Sequence, residues 1–121
     1  MVPEVLITRL DPELPMPRFA KPGDAGIDLY ARIDIAIAPG ERALVPNGIA
    51  MALPAGYVAL SVPRSGFALK QGGTLLNSPG VIDAGYRGEV CSIVHCPARI
   101  AAPVALVRRG RREDATSLGT F

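Results

Sequence analysis

An aspartate and a tyrosine stand three residues apart in a glycine-rich stretch of this chain, Gly80-Val81-Ile82-Asp83-Ala84-Gly85-Tyr86-Arg87-Gly88. A carboxylate in a tight turn beside apolar Val81 and Ile82 is expected to be partly desolvated, and such a group can act as a base on a bound water. The tyrosine ring offers a flat apolar face with a polar tip. The alternative is a plain β-hairpin corner, because Asp-Ala-Gly is also a common turn sequence.

A second group of residues suits an anionic ligand. Arg64, Ser65 and Gly66 follow Pro63 at the end of the apolar run from Tyr57 to Val62. A guanidinium fork, a short hydroxyl and an unhindered glycine backbone together favour phosphate binding. Taken alone, such a triplet is more often a solvated loop than a phosphate site, since short motifs match by chance. A second carboxylate, Asp28, lies upstream in Ala-Gly-Ile-Asp-Leu, where an alternating strand begins.

Three segments together resemble the motifs of the trimeric dUTPase family, the dUTP diphosphatases. Ala-Gly-Ile-Asp-Leu at 25–29 is similar to the first motif, and Pro-Arg-Ser-Gly-Phe-Ala at 63–68 to the second. Asn77-Ser78-Pro79 followed by residues 80–90 is similar to the third. Three motifs in order are more specific than any one of them, and the resemblance extends from about Val5 to Val90.

The resemblance implies an all-β fold, a jelly-roll-like or distorted β-barrel subunit. It also implies a homotrimer whose active sites lie at subunit interfaces and combine motifs of different chains. The implied reaction is hydrolysis of dUTP to dUMP and diphosphate, with water attacking the α-phosphorus while Mg²⁺ neutralises the triphosphate. In such a reaction the protein contributes mainly positioning and charge stabilisation.

The third motif implies the catalytic and nucleoside-binding residues. Asp83 would orient and deprotonate the attacking water and accept a hydrogen bond from the sugar 3′-hydroxyl. Tyr86 would lie against the deoxyribose and leave no room for a 2′-hydroxyl. The uracil edge would be read by the Asn77 side chain and by backbone groups of the following residues, Gly80, Val81, Ile82 and Asp83, with Cys91 behind the base.

The first two motifs imply the phosphate site. Arg64, Ser65 and Gly66 would hold the phosphates. Asp28 would bind Mg²⁺ through the ion's water shell, because this hard cation gives up its waters reluctantly.

The last thirty residues depart from the family pattern. The fourth motif, a glycine followed closely by Arg-Ile-Ala-Gln, should follow Arg108-Arg109-Gly110, but Arg111-Arg112-Glu113 stands there instead. Nothing up to Phe121 matches the fifth, glycine-rich motif. We therefore interpret residues 91–121 as a divergent and shortened end of the single domain 1–121, frame-shifted or otherwise altered, in which the expected strand after Val90 is replaced. Four arginines among residues 108–112 are interpreted as a solvated tail, with a nucleic-acid patch as the alternative.

Composition limits the other classes of function. A net charge of +2 with 20% charged residues does not indicate a general nucleic-acid binder. No apolar run approaches the ~18 residues of a membrane helix, and Met1-Val2-Pro3-Glu4 does not resemble a secretory leader, so a cytoplasmic protein is expected. Cys91 and Cys96 flank His95, the only histidine, which is too few ligands for a structural zinc site, and free thiols are expected.

The elements that position these residues are predicted to be strands. Leu29 to Ala38 alternates with period two, which predicts one strand with Leu29, Ala31, Ile33, Ile35 and Ile37 on its buried face. Strands are also predicted at 43–45, 49–53 and 57–62, separated by Pro46-Asn47-Gly48 and Pro54-Ala55-Gly56 turns. Ser65 to Lys70 is the one predicted helix, ended by Gly72-Gly73.

Four functions remain open on this evidence. The first is an active dUTP diphosphatase, and the second is a nucleotide-binding pseudoenzyme or truncated product that keeps the same motifs. A dCTP deaminase relative, which shares the fold and the phosphate motif, is the third. The fourth is a β-sandwich interaction domain with no nucleotide site.

Overall fold

The computed structural model describes residues 3–97, 105–112 and 116–120. These residues form short antiparallel strands and one helix, as predicted: β1 Leu6–Arg9, β2 Gly26–Leu29, β3 Ile35–Ile37, β4 Arg42–Pro46, β5 Ile49–Ala52, β6 Ala59–Pro63, α1 Ser65–Gln71, β7 Thr74–Leu75, β8 Gly80–Ile82, β9 Cys91–His95, β10 Ala105–Val107 and β11 Thr116–Thr120. Within these residues, no helix has the length and apolar character needed to cross a membrane.

The strands form four small antiparallel sheets. The largest has the order β2-β11-β6-β8, and a three-stranded sheet has the order β4-β9-β7. The pairs β1-β5 and β3-β10 make up the other two. Buried apolar residues form two clusters, one around Phe67, Val45 and Val94 and the other around Leu29, Met51 and Val90. The core is therefore shared between sheets, as expected for a barrel-like fold in which no sheet can bury its apolar face alone.

The predicted turns and helix are confirmed. Gly48 adopts φ +73°, and its missing side chain matters because a Cβ there would lie 2.8 Å from Cδ1 of Leu14. The helix extends one residue past the predicted end and stops at Gly72, whose φ of 65° and ψ of 16° form a left-handed cap. The cap N–H donates to the carbonyl oxygen of Ala68.

The single strand predicted from Leu29 to Ala38 is wrong. The chain leaves one sheet after β2 and enters another at β3, because β2 pairs with β11 and β3 pairs with β10. Between them Arg32 donates its backbone N–H to the carbonyl oxygen of Pro46 at 2.8 Å instead of continuing the strand. Ile33, predicted to be buried, is consequently 38% exposed.

The expectation that the segment after Val90 loses its strand is also wrong. Cys91–His95 forms β9, the middle strand of its sheet, paired with β4 over five positions and with β7 over two. β10 and β11 pair with β3 and with β2 and β6, respectively. The arginine-rich region and the last strand are thus part of the fold as far as the structure describes them.

Phe67 fills the core beneath the helix and is packed against the backbone of Gly73. The ring is 1% exposed. A Cβ on Gly73 would lie 2.4 Å from Cζ and 2.5 Å from Cε1 of that ring. A carbon at this distance cannot be accommodated unless the ring or the backbone moves.

Gly73→Ala is therefore expected to lower the free energy of unfolding by about 1–3 kcal/mol, the usual effect of overpacking a dense core. Gly66→Ala is the matched control, because a Cβ at this helical glycine meets nothing within 4 Å. That control should be neutral or slightly stabilising. Urea unfolding of both variants measures the effect, and equal stability of Gly73→Ala and the parent would contradict this packing.

Candidate functional site

The 83–90 loop, residues 83–90 between β8 and β9, crosses from one sheet to another. β8 pairs with β6, whereas β9 pairs with β4 and β7, so the loop is not the corner of a hairpin. The backbone N–H of Tyr86 donates to the carbonyl oxygen of Asp83 at 3.1 Å and closes a tight turn at the loop's beginning. At its end, the Val90 N–H donates to the Ile49 carbonyl oxygen at 2.8 Å.

Glu89 anchors the loop to the body of the fold. Its Oε2 accepts from the backbone N–H of Gly48 at 3.0 Å, and its Oε1 accepts from the Arg32 guanidinium at 3.0 Å. Arg32 and Gly48 come from separate segments that flank β3 and β4. One carboxylate thus connects three parts of the chain just after the predicted catalytic turn.

Glu89→Gln is expected to lower the free energy of unfolding by about 1–2 kcal/mol, because hydrogen bonds to a charged group are worth more than neutral ones and an amide can accept from only one of the two donors. Glu41→Gln on the exposed turn before β4 is the control and should stay within about 0.5 kcal/mol. Thermal or urea unfolding measures both, and identical values for the two variants would refute the anchoring role.

The Tyr86 ring is fixed over Gly88. Its hydroxyl donates to the carbonyl oxygen of Glu89 at 2.8 Å. A Cβ on Gly88 would lie 2.6 Å from the Tyr86 hydroxyl oxygen, so only glycine allows the ring to lie there. The side chain is 46% exposed. The ring is held at its polar end and still presents surface to a ligand.

Asp83 is exposed rather than partly desolvated as the sequence predicts. Val81, one of the apolar neighbours expected to bury it, is itself 62% exposed. The carboxylate is therefore open to water and to ligands.

Six of the predicted residues meet at one cleft. Its volume is about 200 Å³. It lies beside the 83–90 loop, between residues of β8 and residues of β4 and β9. The cleft is lined by Leu44, Asn77, Val81, Ile82, Asp83, Tyr86, Val90, Cys91 and Ile93. A smaller chamber of about 60 Å³ adjoins it and includes Gly80 and Ser61. The structure thus brings together a carboxylate, an aromatic ring and an amide around a partly apolar cavity.

The Cys91 thiol lies in the wall of this cleft. Burial, together with the nearby Glu89 carboxylate, raises its pKa above the ordinary value for cysteine. A thiol kept protonated is a poor nucleophile. Both cysteines are free, and His95 contacts the carbonyl oxygen of Glu41 through Nδ1 at 2.9 Å.

Arg64 and Asp28 form a separate cluster with Arg112. Asp28 lies 3.3 Å from Nε of Arg64 through Oδ1 and accepts from Nε of Arg112 at 2.9 Å through Oδ2. The Arg64 guanidinium also donates to the carbonyl oxygen of Arg112. Hydrogen bonding to Asp28 raises the pKa of Arg112. The exposed Ser65 and Gly66 follow in the first turn of α1.

This cluster does not fit a directly ligated metal ion. Both carboxylate oxygens of Asp28 face guanidinium groups, and its side chain is only 15% exposed. Nor do the residues that the structure describes include any group of three or more His, Cys, Asp or Glu side chains placed to hold a metal. The prediction that Asp28 holds Mg²⁺ through water remains a prediction.

The cleft and the arginine cluster lie at opposite ends of β6. Ile82, next to Asp83, pairs with Ala59, the first residue of β6, whereas Arg64 directly follows Pro63, the last. The position opposite Asp83 is the one before Ala59. Arg64 lies six residues beyond that position, which is about 20 Å in an extended strand at 3.3 Å per residue. Arg64 is accordingly not among the residues that line the cleft, although Ser61, three residues before it, lines the chamber beside the cleft.

The arginines at 108–112 are not a solvated tail. Arg109 donates to Asp11 at 2.5 Å, to Glu13 at 3.0 Å and to the Arg32 carbonyl oxygen at 2.8 Å. These bonds lower the pKa of Asp11 and raise that of Arg109. Arg112 was not among the predicted site residues. It stands two positions after Gly110, as the arginine of the fourth motif stands two positions after its glycine, and this spacing is the signal that could have identified it.

The antiparallel strands and the cleft at the 83–90 loop define an all-β protein with a candidate ligand-binding site. The family model described as dUTPase matches residues 12–101, about three-quarters of the chain. The chain therefore belongs to the dUTPase family.

Several relatives carry the name deoxyuridine 5′-triphosphate nucleotidohydrolase. The chain is 62% identical to the protein of Bifidobacterium longum subsp. infantis over 88 residues, which cover 72% of this chain and 56% of that protein. It is 54% identical to the protein of Thermobifida fusca over 107 residues, 88% of this chain and 59% of that one. For Mycolicibacterium vanbaalenii the identity is 53% over 107 residues, 88% and 68% of the two chains. The chain thus spans little more than half the length of several curated relatives.

Solved structures support the same fold. A mutant of the dUTPase from phage phi11 of S. aureus, described with a structural Mg(II) ion, has a TM-score of 0.83 at 21% identity, covering 98% of this chain and 90% of that one. A mutant of the Staphylococcus bacteriophage 80alpha dUTPase with dUpNHpp has a TM-score of 0.80 at 22% identity, covering 98% and 82%.

The family match corrects the sequence analysis at one point. The resemblance was placed between about Val5 and Val90, but the family model extends to residue 101. The match to the Thermobifida fusca protein includes 107 residues of this chain, which also requires it to pass Val90. The divergence from the family therefore begins later than predicted.

Proposed function

We propose that this protein hydrolyses dUTP to dUMP and diphosphate. The observation that carries the proposal is the cleft at the 83–90 loop, where Asp83, Tyr86 and Asn77 line one cavity in a member of the dUTPase family. An exposed carboxylate, an aromatic wall and an amide are what water activation, sugar packing and base recognition each require.

Asp83 is proposed as the general base. Its carboxylate would accept a proton from a water molecule as that water attacks the α-phosphorus, and the bond from this phosphorus to the bridging oxygen would break to release diphosphate. The exposure of Asp83 supports this role because a water can reach it. Most of the acceleration would come from positioning, as phosphoryl transfer asks little covalent chemistry of the protein.

The nucleoside would occupy the cleft. The tethered Tyr86 ring would form a wall against deoxyribose, and its fixed position over Gly88 would exclude a sugar with a 2′-hydroxyl. Asn77 and the backbone of Gly80 to Asp83 would read the uracil edge. Cys91 would contribute its backbone only, in keeping with the raised pKa of its thiol.

The phosphates are proposed to be held by Arg64, Ser65 and Gly66 of a second copy of the chain. Support comes from the separation of about 20 Å along β6 between this segment and the position opposite Asp83. A homotrimer with interfacial sites would bring the two half-sites together. Mg²⁺ would supply charge neutralisation of the triphosphate, with Asp28 as its water-mediated contact. Nothing favours a membrane or nucleic-acid partner, and a cytoplasmic location is proposed.

Diphosphate release from dUTP in the presence of Mg²⁺ tests the proposed activity. We expect release from dUTP, loss of release on chelation of Mg²⁺, and little release from UTP or dCTP. Binding of dUpNHpp without any release from dUTP would instead indicate a pseudoenzyme. No thermal shift with dUpNHpp would favour an interaction domain, and ammonia released from dCTP would indicate a deaminase.

Mixing two impaired variants, assayed at a dUTP concentration at which each alone is slow, tests the shared site. Asp83→Asn and Arg64→Lys each damage a different half of the proposed site. If the halves come from different copies, co-refolding the two variants should regenerate sites with both halves intact and recover part of the activity. Mass measurement in solution with and without dUpNHpp gives the oligomeric state independently. No recovery in a verified mixed trimer would rule out the shared site.

A further inference from the structure

Ser61 places a hydroxyl in the interior without a hydrogen-bond partner. The residue is 4% exposed, and its Oγ has no partner among the residues that the structure describes. It lies in the middle of β6, opposite Gly80 of β8 and Leu118 of β11. Buried hydroxyl groups are nearly always hydrogen-bonded, so an unpaired one calls for a ligand or a water.

The chamber of about 60 Å³ supplies the space for such a partner. Ser61 lines it together with Asn77, Gly80 and residues of β7 and β9. Five residues line both the chamber and the Asp83 cleft: Asn77, Val81, Ile82, Cys91 and Ile93. The chamber therefore adjoins that cleft. Its volume exceeds the requirement of one water, which is about 10–15 Å³.

Gly80 keeps Ser61 and Asn77 facing the same space. A Cβ on Gly80 would lie 3.3 Å from Nδ2 of Asn77 and 3.6 Å from Cβ of Ser61. Any side chain there would thus separate the hydroxyl from the amide. The other serine of the chamber, Ser92, already donates to Oδ1 of the buried Asn47 at 3.0 Å.

We propose that Ser61 is a base-binding residue, whose hydroxyl hydrogen-bonds the polar edge of a pyrimidine in the chamber, directly or through one water. A hydroxyl can turn to donate or to accept, so it suits a ring edge that carries both a carbonyl and an N–H. Since no residue described here holds it, the hydroxyl turns without breaking another bond. This proposal rests on the proposed function, because it assumes that the base enters this cleft.

Ser61→Ala and Ser61→Cys test the proposal by calorimetric titration. The probes are dUpNHpp and tripolyphosphate, the second of which has the charge but no base. Both variants should bind dUpNHpp about 2- to 10-fold more weakly, the net effect of one lost hydrogen bond, and bind tripolyphosphate unchanged. Their melting temperatures without ligand should equal or exceed that of the parent, because the hydroxyl that is removed has no partner in the free protein.

Each other outcome is decisive. Unchanged dUpNHpp affinity in Ser61→Ala overturns the role of Ser61 and leaves the proposed function intact. Equal losses for dUpNHpp and tripolyphosphate, or a lowered melting temperature without ligand, identify Ser61 as structural and also overturn it. A parent protein that binds no dUpNHpp overturns the proposed function, and with it this proposal.

Discussion

Asp83→Asn should reduce dUTP hydrolysis by about 10²- to 10⁴-fold, the range typical of removing a general base. Asparagine keeps the shape of the side chain and can still accept from a sugar hydroxyl, but it cannot take up the proton of the attacking water. Because Asp83 is exposed and has no ion-pair partner recorded in the described structure, stability should change by less than about 0.5 kcal/mol. The rate is measured as diphosphate release and the binding by titration with dUpNHpp.

Two observations separate a base from a binding residue. Affinity of Asp83→Asn for dUpNHpp should remain close to that of the parent, so that the loss falls on kcat. Asp83→Glu restores the carboxylate but displaces it by one methylene, and it should recover only part of the rate. Turnover of Asp83→Asn equal to that of the parent would remove Asp83 from the mechanism.

Arg64→Lys should weaken binding of dUpNHpp by about 10- to 100-fold. The Arg64 guanidinium is a planar fork that can donate two hydrogen bonds to one phosphate, and a lysine cannot reproduce this pair. Hydrogen bonds to charged groups are worth about 1.5–3 kcal/mol. Deoxyuridine, which has no phosphate, should bind equally well to variant and parent. Asp28 keeps its second partner, Arg112, while the contacts of Arg64 with Asp28 and with the Arg112 carbonyl oxygen are both altered.

Arg42→Lys is the matched control for Arg64→Lys. Arg42 is an exposed arginine on β4, away from both half-sites. It should leave the affinity for dUpNHpp unchanged. If Arg64→Lys binds dUpNHpp as tightly as the control does, Arg64 does not hold the phosphates.

Local sequence signals predicted the turns and the helix well. Proline-glycine turns set strand limits, and the glycine at position 72 ended the helix, because these residues act through their own backbone. Asp83 and Tyr86 were singled out by their spacing and Asn77 by the family resemblance. The structure places all three around one cleft, and their roles stay predictions.

Features that depend on distant neighbours were predicted poorly. Ile33 belongs to an alternating pattern that continues across two different sheets. The chain changes sheet because β2 pairs with β11 and β3 pairs with β10, and these partners are distant in sequence. Asp83 is exposed together with Val81, because apolar neighbours in the sequence bury a carboxylate only where other elements pack over them. Arg112 is joined to Asp28 across 84 positions, and the spare hydroxyl of Ser61 emerges only once its neighbours are known.

The position of the two half-sites at opposite ends of β6 has a consequence for how activity responds to dilution. Under the proposed sharing of sites, Asp83 of an isolated subunit would have no phosphate-binding residues beside it, and Arg64 would have no general base beside it. Specific activity should therefore fall as the protein is diluted below the dissociation constant of the assembly. Substrate that bridges two copies should shift this fall to lower protein concentration, since a ligand stabilises the state that binds it.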